Sequence, residues 1–304
     1  MQGVSPDCVQ VVTGASEALL ILMWLAAEAG ANIIVPHPGY PAFAALPESL
    51  GVETRFYHLR RENSFRIDLE EIRKCTDART KLILVNSPHN PTGATLSDKE
   101  WDDLDEFASD RGIQLVSDEV YHPVYHGQET RSAARLPHAT VIHDFSKAYP
   151  LSGLRLGWMV ERDPARRERF LNARTYFSIS NNSGGELLAT IAMRNRDIIL
   201  KRTCKAACRN LQLLERFMTE HGDVLDWVRP AGGLTALPWL RSGESARPFC
   251  EALVKRGVLL APGDCFDMPS YFRLGFGATE DRFPQGLERF DKFLATWEKT
   301  TTIA

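Results

Sequence analysis

No two cysteines in this chain have a redox or zinc-knuckle spacing. The six, Cys8, Cys75, Cys204, Cys208, Cys250 and Cys265, include no C-x-x-C and no disulfide-framework pattern, which argues against a stapled secreted scaffold and fits a reducing, cytoplasmic setting. Cys204 and Cys208 stand one helical turn apart but have no further ligand types beside them, so no metal site is read there. His122 and His126 flank a proline-containing stretch and read as loop residues. Long apolar runs are missing too. The nearest, Leu19–Ala27, is too short to span a bilayer, and the residues before it carry Asp7 and Glu17 but no lysine or arginine, so a secretion signal is not expected either. A net charge of −3 excludes broad electrostatic binding to nucleic acid or membrane. H-E-x-x-H, G-x-S-x-G, G-x-G-x-x-G and a Walker loop are all absent, which removes the chemistries they mark.

What remains is an ordinary globular composition, 304 residues with 44% hydrophobic and 25% charged, enough to bury a large core in two domains or one elaborated one. Strand and helix signals alternate through the first half. Val9–Val12, Asn32–Val35, Lys81–Val85, Ile113–Ser117 and Thr140–Ser146 read as strands; Ser16–Ala29, Ala42–Leu50 and Ser97–Arg111 read as helices. Ser97 with Glu100 forms a capping box. The strands are continuous apolar runs, which predicts a mostly parallel sheet covered on both faces. The basic cluster of Arg162–Arg174 reads as a solvated helix face. A long helix is expected over Asp197–His221, then short strands at Trp227–Val228, Leu234–Leu237, Val258–Ala261 and Tyr271–Phe276, with helices at Ala246–Arg256 and Thr279–Lys299. The expected organisation is a large α/β domain (1–196), a connecting helix (197–222) and a smaller α+β domain (223–304).

In open α/β sheets ligands sit beyond the carboxyl ends of the strands, so the residues that follow each strand carry the chemistry. After the first strand, Gly14-Ala15-Ser16 begins a helix with small residues, which lets backbone N–H groups approach an anion. After the second, Pro36-His37-Pro38-Gly39-Tyr40-Pro41 makes a stiff loop suited to holding an aromatic ring against a planar ligand. After the third, Asn86-Ser87-Pro88-His89-Asn90-Pro91-Thr92-Gly93 offers Asn90 as a donor. Asp118 closes the fourth strand, where a buried acid needs a cationic partner such as a protonated pyridine nitrogen. Tyr121 follows three residues later. The fifth strand leads to Ser146 and Lys147, an amine that can lose its proton and attack a carbonyl carbon. Arg155, eight residues on, offers a planar fork for a phosphate. A carbonyl-bearing, phosphorylated pyridine is pyridoxal 5′-phosphate (PLP).

Taken together in this order, the motifs resemble those of the fold-type I PLP-dependent enzymes, in particular the class I and II aminotransferases, and they spread from Thr13 to Gly277. The resemblance implies that Lys147 bonds the cofactor aldehyde and then shuttles a proton, and that Asp118 keeps the pyridine nitrogen protonated. It implies that Tyr121 and Asn90 donate to the ring oxygen, that Tyr40 stacks on the ring, and that Gly14, Ala15, Ser16, Ser146 and Arg155 hold the phosphate. Arg273, in Tyr271-Phe272-Arg273-Leu274-Gly275-Phe276, is implied to grip the substrate carboxylate. The activity so implied is ping-pong transfer of an amino group between an L-amino acid and a 2-keto acid by a homodimer. A PLP lyase or amino-acid cyclase would use the same residues.

Two features depart from the resemblance. Relatives carry further residues ahead of the Gly14 turn, whereas this chain begins at Met1 close to it, which leaves a shortened, non-catalytic relative as an alternative. Asp144, three residues before Lys147, stands where relatives often place a serine near the phosphate. It must turn away, be offset by Arg155, or mark altered phosphate handling.

Overall fold

The computed structural model describes residues 3–278 and 282–301. Its main sheet has seven strands: β1 (Val9–Val12), β2 (Asn32–His37), β3 (Glu53–His58), β4 (Thr80–Asn86), β5 (Gln114–Asp118), β6 (Thr140–Asp144) and β7 (Gly157–Val160). They lie in the order β1-β7-β6-β5-β4-β2-β3. The pairings β2–β3, β2–β4, β4–β5 and β5–β6 are parallel, while β7 is antiparallel to both β6 and β1. Strands β1 to β6 therefore all end on one edge, and β7 starts there. The connection from β6 to β7, which carries Ser146, Lys147 and Arg155, begins and ends at that edge.

Side-chain alternation explains the continuous apolar runs. Ile33, Val35, Leu82, Leu84, Val116 and Ile142 point to one face, where α1 (Ala15–Ala26) and α5 (Pro164–Arg174) cover them. Ile34, Ile83, Val85, Leu115 and Val141 point to the other face, with Trp101, Leu104 and Phe107 of α4 (Asp98–Asp110) packed over them. Both faces are dry, so neither can be polar. The Leu19–Ala27 run belongs to α1 and is largely buried in this core, and among the described residues no helix is long and apolar enough to cross a membrane. The capping box at the start of α4 is present: Ser97 and Glu100 each bond the other's backbone N–H.

Beyond the sheet lie α6 (Ser183–Arg194) and α7 (Arg196–Glu220), then short strands β8 (Leu225–Asp226), β9 (Thr235–Ala236), β10 (Trp239–Leu240), β11 (Ala261–Pro262) and β12 (Phe272–Gly275). Strands β11, β12 and β9 form an antiparallel ribbon. Helices α8 (Ala246–Val254) and α9 (Arg282–Thr301) back it through a cluster of Phe249, Phe272, Phe290 and Phe293.

The structure differs from the sequence reading at several points. Strand β3 was not expected: at the sheet edge it pairs only with β2, and Glu-Thr-Arg-Phe-Tyr-His leaves most of its side chains partly exposed. Helix α3 (Leu69–Cys75) is one of the shortest and buries only Ile72. Strand β7 is four residues long and starts with Gly157. The expected Trp227–Val228 strand lies at Leu225–Asp226, and the expected Val258–Ala261 strand at Ala261–Pro262. Thr279, the expected start of the last helix, lies outside the described residues. The expected strand through Ser146 ends at Asp144, because the Asp144 Oδ1 accepts the Ser146 backbone N–H at 2.8 Å and turns the chain.

Candidate active site

A cavity of about 800 Å³ opens at the carboxyl edge of the sheet, below the β11–β12–β9 ribbon. Ala15, Ser16, Tyr40, Asn90, Asp118, Tyr121, Lys147 and Arg273 all line it. The fold thus brings together eight residues singled out from sequence and contributed by six separate segments. That volume lies within the usual range for a cofactor and a small substrate.

Asp118, the last residue of β5, is buried. Its Oδ1 accepts the Val120 N–H at 3.1 Å, and no cationic side chain among the described residues forms an ion pair with it. Burial pushes its carboxyl up to about 7, with the nearby charges of Asp144 and Glu119 adding to the rise and Lys147 opposing it. A buried acid without a cation is the defect that a protonated ring nitrogen would repair. Glu119 beside it turns to the opposite side. There it accepts from Ser132 Oγ and the Ala133 N–H, both at 2.6 Å, and burial still raises it to about 7.

A chain of short bonds fixes the floor. Asn86, the last residue of β4, donates to the Asp118 carbonyl at 2.9 Å and accepts the Asn90 backbone N–H at 2.7 Å. The Asn90 side-chain oxygen in turn accepts from Arg273 Nη1 at 3.1 Å. The Ala148 N–H donates to the Val120 carbonyl at 3.2 Å, which ties the lysine segment to the Asp118 loop. Tyr121 is buried, and desolvation pushes its hydroxyl up to about 12 despite Arg273 pulling the other way, so it stays a donor at neutral pH. Tyr40 is 41% exposed and meets Phe43 edge-on at 5.6 Å.

Gly14, Ser146 and Arg155 are not on the cavity wall proper but sit at its margin. Gly14 caps α1 with φ +84°, a conformation that favours glycine. A Cβ there would come within 3.2 Å of Arg155 Nη2. The Arg155 fork therefore lies against the first turn of α1, where N–H groups and helix dipole favour an anion. Arg155 Nη1 donates to the Ser152 carbonyl at 3.1 Å, and no acidic side chain pairs with it among the described residues.

Lys147 is exposed in the chain. It stands three residues past the end of β6 and lines the cavity. Sequence reasoning passed over Asn86, whose signal was its place as a polar residue closing a buried strand. Thr235 was missed as well: its side chain lines the same wall, with its Oγ1 shielded and unpartnered.

The family model for aminotransferase class I and II matches residues 3–290. A capreomycidine synthase of Streptomyces vinaceus is 30% identical over 292 residues, covering 95% of this chain and 75% of its own length. A putative aminotransferase of Bacillus subtilis is 29% identical, covering 98% of this chain and 78% of its own. Among solved structures, a PLP-dependent aminotransferase from Streptococcus suis superposes with a TM-score of 0.92 at 30% identity, over 97% of this chain and 79% of that one. An aspartate aminotransferase of Thermus thermophilus gives 0.87 at 26% identity, over 95% and 76%.

Proposed function

Because the chain belongs to the class I and II aminotransferases, whose cofactor is pyridoxal 5′-phosphate, we propose that it moves an amino group between an L-amino acid and a 2-keto acid in two half-reactions. The observation that carries this reading is the Arg273–Asn90 contact on the wall shared with Lys147 and Asp118. It presents a guanidinium, held by Asn90, to the cavity that Lys147 and Asp118 also line. The residues present fit the cofactor: an unpaired buried acid for its nitrogen, a glycine turn with an arginine fork for its phosphate, and an amine for its aldehyde.

Bound there, PLP supplies an electron sink for the pair left when an α-proton departs. The chain's own residues do the rest. Arg273 holds the substrate carboxylate in a two-point contact and so fixes which face of the α-carbon meets Lys147. Lys147 Nζ is the base that would take the α-proton and give it back. Asp118 would keep the ring nitrogen protonated, and Asn86 holds Asp118 in place through the Asp118 backbone carbonyl. Tyr121 and Asn90 would donate to the ring oxygen, Tyr40 would cover the ring, and Ser16, Ser146 and Arg155 would hold the phosphate with the Gly14-Ala15 backbone. Leu234, Leu259 and Pro262 close the apolar side of the cavity.

The working unit is a homodimer. Tyr176, Ile179, Leu187, Leu188 and Ile198, in the stretch from the end of α5 to the start of α7, are each more than half exposed, large apolar side chains of the kind that a second copy covers. Six free cysteines support a reducing, cytoplasmic location.

A second reading is favoured by the similarity to a capreomycidine synthase: an elimination or cyclisation that starts from the same bound amino acid. Purified enzyme with PLP, a panel of amino acids and 2-oxoglutarate or pyruvate separates the two. The transfer reading expects a new amino acid and a new keto acid in equal amounts. Turnover that needs no keto acid, with ammonia or a cyclised product released, would replace it with the second reading.

A further inference from the structure

The margin between the Gly14 turn and Lys147 carries a second carboxylate that the steps above do not use. Asp144 is buried, lines the cavity, and forms no ion pair among the described residues. One of its oxygens is committed: Oδ1 accepts the Ser146 N–H at 2.8 Å. It pairs with Gly157 across the β6–β7 ladder. A Cβ at Gly157 would lie 2.9 Å from the Asp144 Cβ and 3.1 Å from the Gly14 carbonyl carbon, so Asp144 and the glycine turn flank that one position from two sides. Its charge is felt inside the cavity, since it helps to raise the Asp118 carboxyl.

We propose that Asp144 is a positioning residue with two opposed effects: its accepting oxygen sets the turn that presents Lys147, and its charge weakens the hold of the Gly14–Ser16 turn and Arg155 on the phosphate of PLP. The cofactor is thereby bound loosely and exchanges with free PLP. The physical reason is that like charges repel within a low-dielectric wall, while a neutral acceptor at the same place could make the same turn without that repulsion. This rests on the reading of Gly14–Ser16 and Arg155 as the phosphate site.

The test titrates apoprotein with PLP and, separately, with pyridoxal, which has the aldehyde and ring but no phosphate, following absorbance and tryptophan fluorescence. Asp144→Asn keeps an accepting oxygen and removes the charge. Its PLP Kd is expected to fall by at least about tenfold, equivalent to about 1.4 kcal/mol, with pyridoxal affinity changed less than about threefold. Asp144→Ala, which loses the acceptor as well, is expected to form the lysine bond to pyridoxal more slowly than wild type. Asp144→Ser gives a second neutral variant should the asparagine protein not fold. An Asn or Ser variant that binds PLP no tighter than wild type overturns the inference, as does one that tightens pyridoxal equally. An Asn variant that binds PLP no tighter than it binds pyridoxal overturns the phosphate-site reading itself, which is a separate outcome.

Discussion

The side-chain oxygen of Asn90 accepts a hydrogen bond from Arg273 at 3.1 Å, although the two residues stand 183 positions apart in the chain. Asn90 belongs to the loop after β4 and Arg273 to β12, so the contact joins the main sheet to the C-terminal ribbon at the cavity. It leaves the rest of the Arg273 fork available to a carboxylate.

That geometry depends on a planar fork, which lysine lacks. Arg273→Lys is expected to lower kcat/KM for amino acid substrates by roughly 100-fold, about 2.7 kcal/mol of the kind lost with a charged hydrogen-bond pair, while PLP affinity stays near wild type. Steady-state kinetics and a PLP titration on the same preparation check both halves.

Asp118 and Glu119 predict how the apoprotein responds to pH. Both carboxyls are raised on folding, from their ordinary values to about 7. Between about pH 4 and 7 the folded chain then holds protons on these two groups that the unfolded chain has released, so the stability they contribute is fully present below about pH 4 and is lost as pH rises toward 7. Asp118→Asn removes its share of the slope, at most roughly 4 kcal/mol for a shift of about three units. Apoprotein melts at pH 5 and pH 8 should show the variant losing less stability than wild type; equal losses would mean that Asp118 is not strained by burial.

Gly157 has no space for a side chain, since a Cβ would sit 2.5 Å from the His143 carbonyl oxygen. Gly157→Ala must push β7 away from β6 or shift the Gly14 turn. A loss of roughly 1–3 kcal/mol in chemical denaturation is expected, together with weaker PLP binding. Wild-type values for both would show that this approach is not tight.

The apolar stretch around α6 is checked by charge. Leu188→Arg places a cation in this exposed apolar stretch and should shift sedimentation from dimer to monomer at micromolar concentration. A variant that sediments as wild type would place the dimer contact elsewhere.

The ligand-edge loops were legible because each follows an apolar strand directly, and a parallel sheet sends all such ends to one side. Elements whose patterns are set by partial exposure were not. Strand β3 is half polar because it is an edge; β7 is buried between β1 and β6, but it is only four residues long and runs opposite to both. Asn86 was hidden since its work is done through backbone atoms of Asp118 and Asn90. The exposure of Lys147 could not be read from a strand-end position, which gives the direction of the chain but not the width of the cavity. Asp144 was legible as an oddity, and only the Ser146 contact shows which way one of its oxygens turns.

The most direct test is to add PLP to the purified protein, reduce with borohydride, digest, and locate the modified peptide by mass spectrometry. One pyridoxyl phosphate per chain, on Lys147 and lost in Lys147→Ala, is the expected result. A label on another lysine, or none at all, would contradict the site described here.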